Sequence, residues 1–383
     1  METMMDARRP VLIVGAGFAG AVHARLLAEA GYRVDVIDVR PHIAGNAYDH
    51  VDTNGIRVHA YGPHLFHTKN RAVADWLRTY GTFVDYSHKV RALLPSGALA
   101  PLPINLDTVN MVFGTCYTTA EEVAAHLARV AVPIAAPANA AEYLYASIGR
   151  DLTDLFFRPY TKKMWQFDLE DMAVAVVKRI PLRSDRSDTY FADDEIQMMP
   201  RDGYTAVFER MFDHANIRVT LETAFDDAML GDYGFCFNAM PIDVFYGHQE
   251  GELPYRSIRF HTRTVTDAAP QAWSVTNFTD SGPLTRETRW DCLPHHIVTE
   301  TGRRTVTAEE PCDYRDNGFE RYYPVRTADN RFHDIYLKYK ELAAKANPEM
   351  AFIGRCGTSQ YLDMDQVFNQ SLSSARRCLA ERD

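Results

Sequence analysis

A glycine-rich turn between two apolar segments constrains the fold more than any other feature of the sequence. The run Val11-Leu-Ile-Val14 is typical of a buried parallel strand, and Gly15-x-Gly17-x-x-Gly20 follows it directly. Residues 21–30 then have apolar side chains at helical spacing, and a second strand is predicted over residues 32–38, ending at Asp38. Strand, glycines, helix, strand and terminal acid in this order predict a dinucleotide-binding βαβ unit.

Each glycine of the turn has its own expected role. Gly15 permits the tight turn, Gly17 lets the backbone approach a pyrophosphate, and Gly20 allows close packing of helix and strand. The free N–H groups of the helix N-terminus suit the anion, while the Asp38 carboxylate suits ribose hydroxyls. A glycine turn without a ligand is the alternative to this interpretation.

FAD and NAD share this fingerprint, so the glycines alone do not choose between them. The continuation from Arg40 through Gly45 to Asn46 is of the kind seen in FAD enzymes, where it runs toward the flavin. A reductase that holds both FAD and NAD(P)H in such units would show two fingerprints, and this sequence has one. We therefore predict FAD as the cofactor.

Composition narrows the classes of function. The chain has 383 residues, 46% of them hydrophobic and 24% charged, with a net charge of −10 and no basic run, which disfavours nucleic-acid binding. Its six scattered cysteines lack a C-x-x-C pair, so reduced thiols and no metal site are expected. No stretch of about 18 apolar residues occurs and the start lacks a secretory signal, so we expect a cytoplasmic protein without a membrane segment.

The rest of the chain predicts an α/β protein in which other domains interrupt a Rossmann-like FAD-binding domain. Residues 118–178 have helical periodicity, and segments such as 258–265 and 273–278 alternate as antiparallel strands do. The division that we expect is a discontinuous FAD-binding domain over 1–80, 197–235 and 340–383, an inserted helical bundle over 105–180, and an antiparallel β-sheet domain over 81–104, 181–196 and 236–339.

Three histidines, His59, His64 and His67, occur within nine residues. Alternating strand positions point to opposite faces and no carboxylate or thiol set accompanies them, so a metal site is disfavoured. Packed core histidines remain an alternative. The other is a turn at Gly62-Pro63-His64 that faces the flavin, where the missing Cβ of Gly62 allows close approach.

Ten motifs follow one another over nearly the whole chain: GAGFAG, GNAY, YGPHLFHT, FFRPYTKKMW, KRIP, DGYT, YRS, NFTD with TR, YYP and GRCGTSQYLDMDQ. In this order they resemble the flavin-dependent UDP-galactopyranose mutase family. The resemblance implies interconversion of the pyranose and furanose forms of a nucleotide-linked galactose. In this family reduced flavin N5 displaces the nucleotide diphosphate and forms a covalent adduct with the sugar. The resemblance also implies an external reductant such as NADPH, and a homodimer is the expected assembly.

The resemblance also assigns residues to roles. Arg179 and Arg286 match the diphosphate-binding arginines, and His64 matches the histidine beside the flavin ring. Phe156, Phe157, Tyr160 and Trp165 match aromatic residues that contact the base or belong to a mobile substrate loop in the helical domain. The remaining expected substrate-binding residues are Tyr190, Arg256, Tyr323, Tyr361 and Asp363. The expected cofactor-binding residues are Gly15, Gly17, Phe18, Gly20, Asp38, Arg40, Asn46, Gly62, Arg355 and Met364.

The sequence also departs from the family pattern. An aromatic-rich stretch is replaced by residues 183–189, and Gln166 stands where a Gly commonly follows the loop Trp. Three further departures are Leu284 for a Tyr, Asp365 for a His, and Asn238-Ala239 for Thr-Gly. These changes leave UDP as the default nucleotide and open GDP or dTDP.

Two other functions stay open at this point. One is an FAD-dependent oxidoreductase of the amine-oxidase or hydroxylase type, although such enzymes often have a late Gly-Asp motif where this chain has Gly354-Arg355. The other is a non-catalytic nucleotide-sugar-binding protein that retains FAD for structure.

Overall fold

A computed structural model of the chain describes residues 9–191, 193–266, 271–294 and 302–382. Its first sheet has five parallel strands, and the strand Val11–Val14 lies at the centre with all four side chains buried. Across the sheet the strands are ordered Ile217–Thr220, Val34–Ile37, Val11–Val14, Phe235–Asn238 and Met350–Phe352. The two strands predicted around the glycine turn are therefore confirmed, the second as Val34–Ile37.

Parallel pairing brings the carboxyl ends of these strands to one edge of the sheet. Val14 lies opposite Ile37 on one side and Asn238 on the other. The helix Phe18–Glu29 begins directly after the glycine turn and packs along the C-terminal helix Met364–Arg382. In open parallel sheets this edge is where ligands bind, so the fold places a crevice beyond Val14.

One predicted domain boundary cuts through this sheet. The strand Phe235–Asn238 lies wholly in it, yet three of its four residues fall in the range 236–339 that we assigned to the antiparallel domain. Its side chains at 236–238 are buried between neighbouring parallel strands, so the boundary must lie beyond Asn238. The division into three domains otherwise stays a prediction.

A second sheet of seven strands provides the wall for the other half of the molecule. Its strands are ordered Tyr323–Pro324, Tyr255–Thr266, Arg303–Asp313, Arg286–Arg289, Val275–Phe278, Val90–Leu93 and Leu99–Leu102. Five of the six pairs are antiparallel, but Val275–Phe278 runs parallel to Val90–Leu93. The strands predicted near 258–265 and 273–278 are confirmed, although the sheet is mixed rather than purely antiparallel.

The predicted helical region is also present, and it packs against the seven-stranded sheet. Its helices are Leu106–Phe113, Ala120–Val130, Ala140–Leu152, Arg158–Trp165 and Val174–Lys178. The Thr119 side chain caps the second of these helices and Glu122 reaches back to it, as a capping box requires. A π-helical turn, Thr153–Phe157, precedes Arg158–Trp165 and carries two buried aromatic side chains.

Two small sheets and several helices complete the described structure. The sheets are Asp49–Val51 with Arg57–His59, and Phe66–Thr68 with Ile196–Pro200 and Phe83–Asp85. The other α-helices are Arg71–Arg78, Tyr204–Phe212, Ile242–Phe245, Arg331–Ala346 and Gly354–Gly357. Short 3₁₀ turns cover Gly45–Ala47, Asp227–Asp232, Trp290–Cys292 and Tyr314–Asp316. Within the described ranges no helix is both long and apolar enough to cross a membrane.

Candidate active site

Two cavities meet at the carboxyl edge of the parallel sheet. We call one the glycine groove; it has a volume of about 530 Å³ and is lined by Gly15, Gly17, Asp38 and their neighbours. We call the other the arginine cleft; it has a volume of about 480 Å³ and lies between the helical region and the seven-stranded sheet. Three residues line both cavities: His64, Arg355 and Met364. A ligand in the groove and a ligand in the cleft would therefore contact the same side chains.

The glycine turn has the close approaches that its sequence predicts. A Cβ on Gly20 would lie 1.9 Å from the Gly15 carbonyl oxygen, so only glycine allows the helix to start this near the strand. Gly15 has a φ of +106°, and a Cβ there would lie 2.9 Å from the Cβ of Ala239. The turn is therefore closed tightly beneath the groove, with Gly17 at its floor.

Asp38 is fixed by the backbone at the end of its strand. One carboxylate oxygen accepts from the Ala16 N–H at 2.8 Å, and the other accepts from the Arg40 N–H at 2.9 Å. The Arg40 guanidinium donates to Asn46 at 2.9 Å and pairs with Glu320 at 2.5 Å. A carboxylate held in this way can accept hydrogen bonds from a vicinal diol, as the fingerprint predicts.

The residues present in the groove fit a dinucleotide. One cavity contains the closely packed glycine turn, the N-terminus of a helix and an acidic side chain held by backbone hydrogen bonds. These are the groups that bind a pyrophosphate and a ribose. Most of the expected cofactor-binding residues line this cavity: Gly15, Gly17, Phe18, Gly20, Asp38, Arg40, Asn46, Arg355 and Met364.

Gly62 is the exception among the expected cofactor-binding residues. It lines neither cavity, and a Cβ on it would lie 2.8 Å from Oε1 of Glu309. Its φ of +80° lies in the region that favours glycine. The glycine thus makes room for a buried carboxylate, and its expected contact with the flavin stays a prediction, whereas Pro63 and His64 do line the cleft.

His64 is held as a neutral acceptor. Burial, the neighbouring His59 and the arginines 355 and 286 lower the pKa of His64 to about 3. Its Nδ1 lies 2.9 Å from the Gly62 carbonyl oxygen, so Nδ1 carries the proton and donates it. The other ring nitrogen, Nε2, then has a free lone pair at the junction of the two cavities.

Arg179 and Arg286 both line the arginine cleft, as predicted. Arg179 is 42% exposed, lies 3.2 Å from Asp363, and places its guanidinium 4.4 Å from the Tyr361 ring centroid. Arg286 is more enclosed, and its Nε lies 2.8 Å from Oε2 of Glu309. The cleft therefore has two arginine side chains available to an anionic group.

Glu309 is a feature of the site that the sequence did not identify. It is 1% exposed, and burial raises its pKa although Arg286 opposes the shift. Within the described part of the chain its Oε1 has no hydrogen-bond partner. The sequence of the strand Arg303–Asp313 offered only a weak signal of a buried glutamate. Neighbouring residues of a strand point to opposite faces, so only one of Glu309 and Glu310 can face inward, but the sequence did not say which.

Tyrosines form one side of the cleft between two guanidinium groups. The rings of Tyr323 and Tyr361 lie 5.2 Å apart, and the Arg355 guanidinium lies 5.2 Å from the Tyr323 centroid. Burial, with Tyr361 nearby, raises the pKa of Tyr323 to about 12, so its hydroxyl stays protonated and can donate. Other expected substrate-binding residues that line the cleft are Phe156, Phe157, Tyr160, Tyr190 and Asp363.

Two expected substrate-binding residues do not line the cleft. Trp165 is 5% exposed and its ring centroid lies 5.7 Å from that of Tyr361. Arg256 is buried, and its Nε donates to the Met164 carbonyl at 2.9 Å. In this structure the two side chains contact residues that flank the cleft, and their expected contact with substrate stays a prediction.

The segment 183–189, which departs from the family pattern, also lies outside the lining of the cleft. Asp188 pairs with Arg91 at 2.7 Å, and backbone hydrogen bonds tie Arg183 to Ile104. The residues that face the cleft come just after it, and they include Tyr190 and Phe191. The altered segment therefore borders the cleft next to Tyr190 without lining it in this structure.

Two further histidines line the cleft and were not assigned to it from the sequence. His67 stacks on Phe191 with centroids 3.6 Å apart and lies 2.5 Å from Asp194. His88 is buried, and burial together with Arg286 lowers its pKa to about 3. Among the described residues, no three His, Cys, Asp or Glu side chains are grouped so that they could hold a metal ion.

Comparison with known proteins agrees with this arrangement. The sequence pattern of UDP-galactopyranose mutases matches residues 155–361, and that of an NAD(P)-binding Rossmann-like domain matches residues 13–80. The chain is 36% identical over 379 residues to a dTDP-fucopyranose mutase of Escherichia coli, covering 96% of this chain and 97% of that protein. It is 35% identical over 372 residues to a probable UDP-galactopyranose mutase of Klebsiella pneumoniae, covering 97% and 94%.

A solved structure supports the fold. The crystal structure of a reduced UDP-galactopyranose mutase superposes with a TM-score of 0.77 at 16% identity, covering 97% of this chain and 94% of that one. At that identity the likeness concerns the fold alone. The two full-length relatives and the matched pattern show that the chain belongs to the UDP-galactopyranose mutase family of isomerases, whose Rossmann-type fold is that of FAD-binding proteins.

Proposed function

We propose that the protein is a flavin-dependent mutase that interconverts the pyranose and furanose forms of a nucleotide-linked galactose. FAD would occupy the glycine groove and the nucleotide diphosphate the arginine cleft. The observation that carries the proposal is that His64, Arg355 and Met364 line both cavities. A sugar attached to a diphosphate in the cleft can then meet the flavin at that junction.

The two cleft arginines would bind and retain the diphosphate while it is detached from the sugar. Charge-assisted bonds from guanidinium to phosphate are about twice as strong as neutral hydrogen bonds and are often bidentate. Protonated Tyr323, with its raised pKa, can add a hydroxyl donor to the same anion. Arg286 lines the cleft with its Nε 2.8 Å from the Glu309 carboxylate, and its guanidinium would carry positive charge to the same anion.

When bound and reduced, FAD supplies a nucleophilic nitrogen, N5, for the anomeric carbon of the sugar. The protein must then hold the sugar and the departing anion in position and limit access by water. The buried Phe156 and Phe157 and the half-buried Tyr160 line the cleft and suit that second task. His64 offers a neutral acceptor at the junction, where a protonated imidazole would add a second positive charge beside Arg355.

The nucleobase and the group at carbon 6 of the sugar define the finer substrate. UDP is our default, and GDP and dTDP are the alternatives that the altered residues open. The two relatives, almost equally similar, are named for different substrates, dTDP-fucopyranose and UDP-galactopyranose. We include NADPH as reductant, a homodimer and a cytoplasmic site of action in the same proposal.

The test is to incubate the purified protein, reduced with dithionite, with UDP-, GDP- and dTDP-galactose and with dTDP-fucose, and to separate pyranose from furanose products. We expect the wild-type protein to convert a sugar nucleotide without net consumption of reductant. Arg286→Ala should lower turnover by at least about 100-fold, because a charged contact to phosphate is strong in a site from which water is largely excluded. Arg78→Ala is the matched control, because this exposed arginine pairs with Asp75 away from both cavities.

Two results would overturn the proposal. Stoichiometric consumption of NADPH or oxygen together with substrate would favour an oxidoreductase of the amine-oxidase type. Tight nucleotide binding with no conversion of any of the four sugars would favour a binding protein that retains FAD for structure.

A further inference from the structure

The outer end of the glycine groove has an unusually exposed apolar surface. Val39 is 70% exposed and Phe319 is 65% exposed, the two highest values among the large hydrophobic side chains that the structure describes. Both line the glycine groove, although they lie 280 residues apart in sequence. Phe225, half-buried against Phe245, lines the same end. Exposed apolar side chains concentrated in one cavity are typical of a binding site.

Phe319 is presented by a loop that is held in an unfavourable conformation. We call residues 317–321 the groove strap. Gly318 and Phe319 have φ values of 62° and 61°, and the left-handed region is disfavoured for Phe because its Cβ approaches the following carbonyl oxygen. Such conformations persist where the surroundings fix them and are concentrated at binding sites. The strained backbone therefore directs an aromatic ring toward the groove and not into the core.

Two polar contacts fix the ends of the strap. Glu320 pairs with Arg40 at 2.5 Å, which joins the strap to the segment that follows the second parallel strand. Asn317 donates to the Ser257 hydroxyl at 2.9 Å, which joins it to the seven-stranded sheet. Although burial disfavours its charge, Glu320 and Tyr61 raise the pKa of Arg40, so its guanidinium stays charged beside Glu320. The strap thus bridges the two halves of the molecule beside the groove.

The order of groups along the groove identifies the ligand that this end would take. The glycine turn suits the pyrophosphate and Asp38 suits a ribose, and Val39 is the next residue along the chain. The group that follows the ribose in FAD is adenine, whose flat faces stack on aromatic side chains. We propose that Phe319 is the stacking platform for the adenine of FAD, that Val39 forms part of the same slot, and that the Arg40–Glu320 pair holds the platform in place.

This inference rests on the proposed function, since it assumes FAD in the groove, but its test uses cofactor binding and not catalysis. The experiment is to remove the flavin from the full-length protein and measure the Kd of FAD and, separately, of FMN, which lacks the adenosine half. Phe319→Ala should raise the Kd of FAD about tenfold, because loss of one base–aromatic stack is worth ~1–3 kcal/mol. The Kd of FMN should not change.

Three further variants separate stacking from a general structural effect. Phe319→Trp retains an aromatic face and should bind FAD like the wild type. Glu320→Gln should weaken FAD binding by a smaller factor, since the strap loses its ion pair but keeps its ring. Leu337→Ala removes another exposed apolar side chain, 41% exposed and away from both cavities, and should have no effect.

The outcomes are distinct. Equal weakening of FAD and FMN by Phe319→Ala, or no weakening of FAD, would overturn the adenine platform while leaving FAD in the groove. If the wild-type protein bound no FAD, both this inference and the proposed function would fail. If it bound FAD through Phe319 but converted no sugar, only the proposed function would fail.

Discussion

His23 shows how burial of one side chain sets the pH dependence of stability. It is fully buried away from both cavities, its Nδ1 contacts the Ala19 carbonyl at 2.7 Å, and burial lowers its pKa to about 4. Between pH 6.5 and 4 the unfolded chain binds a proton here that the folded chain does not. The contribution of neutral His23 to the free energy of unfolding is therefore fully present above pH 6.5. It falls as the pH decreases toward 4, by up to ~1.4 kcal/mol per pH unit.

We expect His23→Leu to remove this contribution. The measurement is urea unfolding of wild type and variant at pH 7 and pH 5, which gives the difference in unfolding free energy at each pH. The variant should lose less stability on acidification than the wild type by ~1–2 kcal/mol. His214→Leu is a control on a less buried histidine, and an equal flattening there would contradict the assignment to His23.

The Arg286–Glu309 pair allows a test of a buried charge. Glu309 is 1% exposed, so Arg286→Gln leaves a carboxylate in the interior without its cation. Removal of one partner of a buried pair costs on the order of 3 kcal/mol, and the cost rises with pH because Glu309 must ionise to be unpaired. The double variant Arg286→Gln, Glu309→Gln should recover most of that loss.

The readout is a double-mutant cycle from urea unfolding at pH 5 and pH 8. Glu309→Gln alone should destabilise less than Arg286→Gln alone at pH 8, since an arginine that is 24% exposed can still reach water. Additive single effects, or a loss for Arg286→Gln that does not grow with pH, would show that the pair contributes no coupling.

At the scale of elements, the residue that ends the helix Arg158–Trp165 departs from the family pattern, and we expect this departure to lower the stability of the protein. Gln166 follows this helix with a φ of 61°, the left-handed position that glycine normally fills. Gln166→Gly should raise the free energy of unfolding by about 1 kcal/mol, since it relieves the contact between Cβ and carbonyl. Thermal unfolding of the holoprotein is the measurement.

Gln166→Ala is the matched control for this helix end. It keeps the Cβ and the strained backbone but removes the side chain, whose amide donates to the Lys163 carbonyl at 3.4 Å. The alanine variant should be no more stable than the wild type. If alanine and glycine stabilise equally, the side chain and not the backbone conformation limits stability at this position.

The elements that the sequence predicted well are those with one buried face or a special turn. The glycine turn and the two strands around it followed from Val11–Val14 and Asp38, because apolar runs and glycine contacts are local signals. The parallel pair within the seven-stranded sheet, Val275–Phe278 with Val90–Leu93, had no local signal. Pairing between strands nearly two hundred residues apart depends on the tertiary arrangement.

The site residues likewise divide into those whose position could be predicted from the sequence and those whose position could not. The motif matches brought Arg179, Arg286 and Tyr323 to the cleft, where the structure places them. The same matches placed Trp165 and Arg256 in contact with substrate, whereas neither lines the cleft here: Trp165 packs against Tyr361, and Arg256 donates to the Met164 carbonyl. A motif identifies which residues are near a site, but burial and side-chain direction decide which of them line it, and these depend on neighbours that are distant in the sequence.

At the scale of the whole molecule, the junction of the two cavities predicts coupling between cofactor and nucleotide. His64, Arg355 and Met364 line both the groove and the cleft, and the Arg355 guanidinium also donates to the Leu362 carbonyl at 2.6 Å. FAD that orders these side chains would reduce the entropy that a nucleotide must still overcome. We expect the Kd of UDP, GDP or dTDP to fall when FAD is bound, by a factor of roughly 5 or more.

Linkage makes this prediction strict, because the two ligands must affect each other by the same factor. The measurement is titration calorimetry of nucleotide into flavin-free and FAD-loaded protein, and of FAD into protein with and without saturating nucleotide. Phe319→Ala, at the far end of the groove, should weaken FAD while leaving the coupling factor unchanged. A nucleotide Kd that is identical with and without FAD would mean that the two cavities share lining residues but act as independent sites.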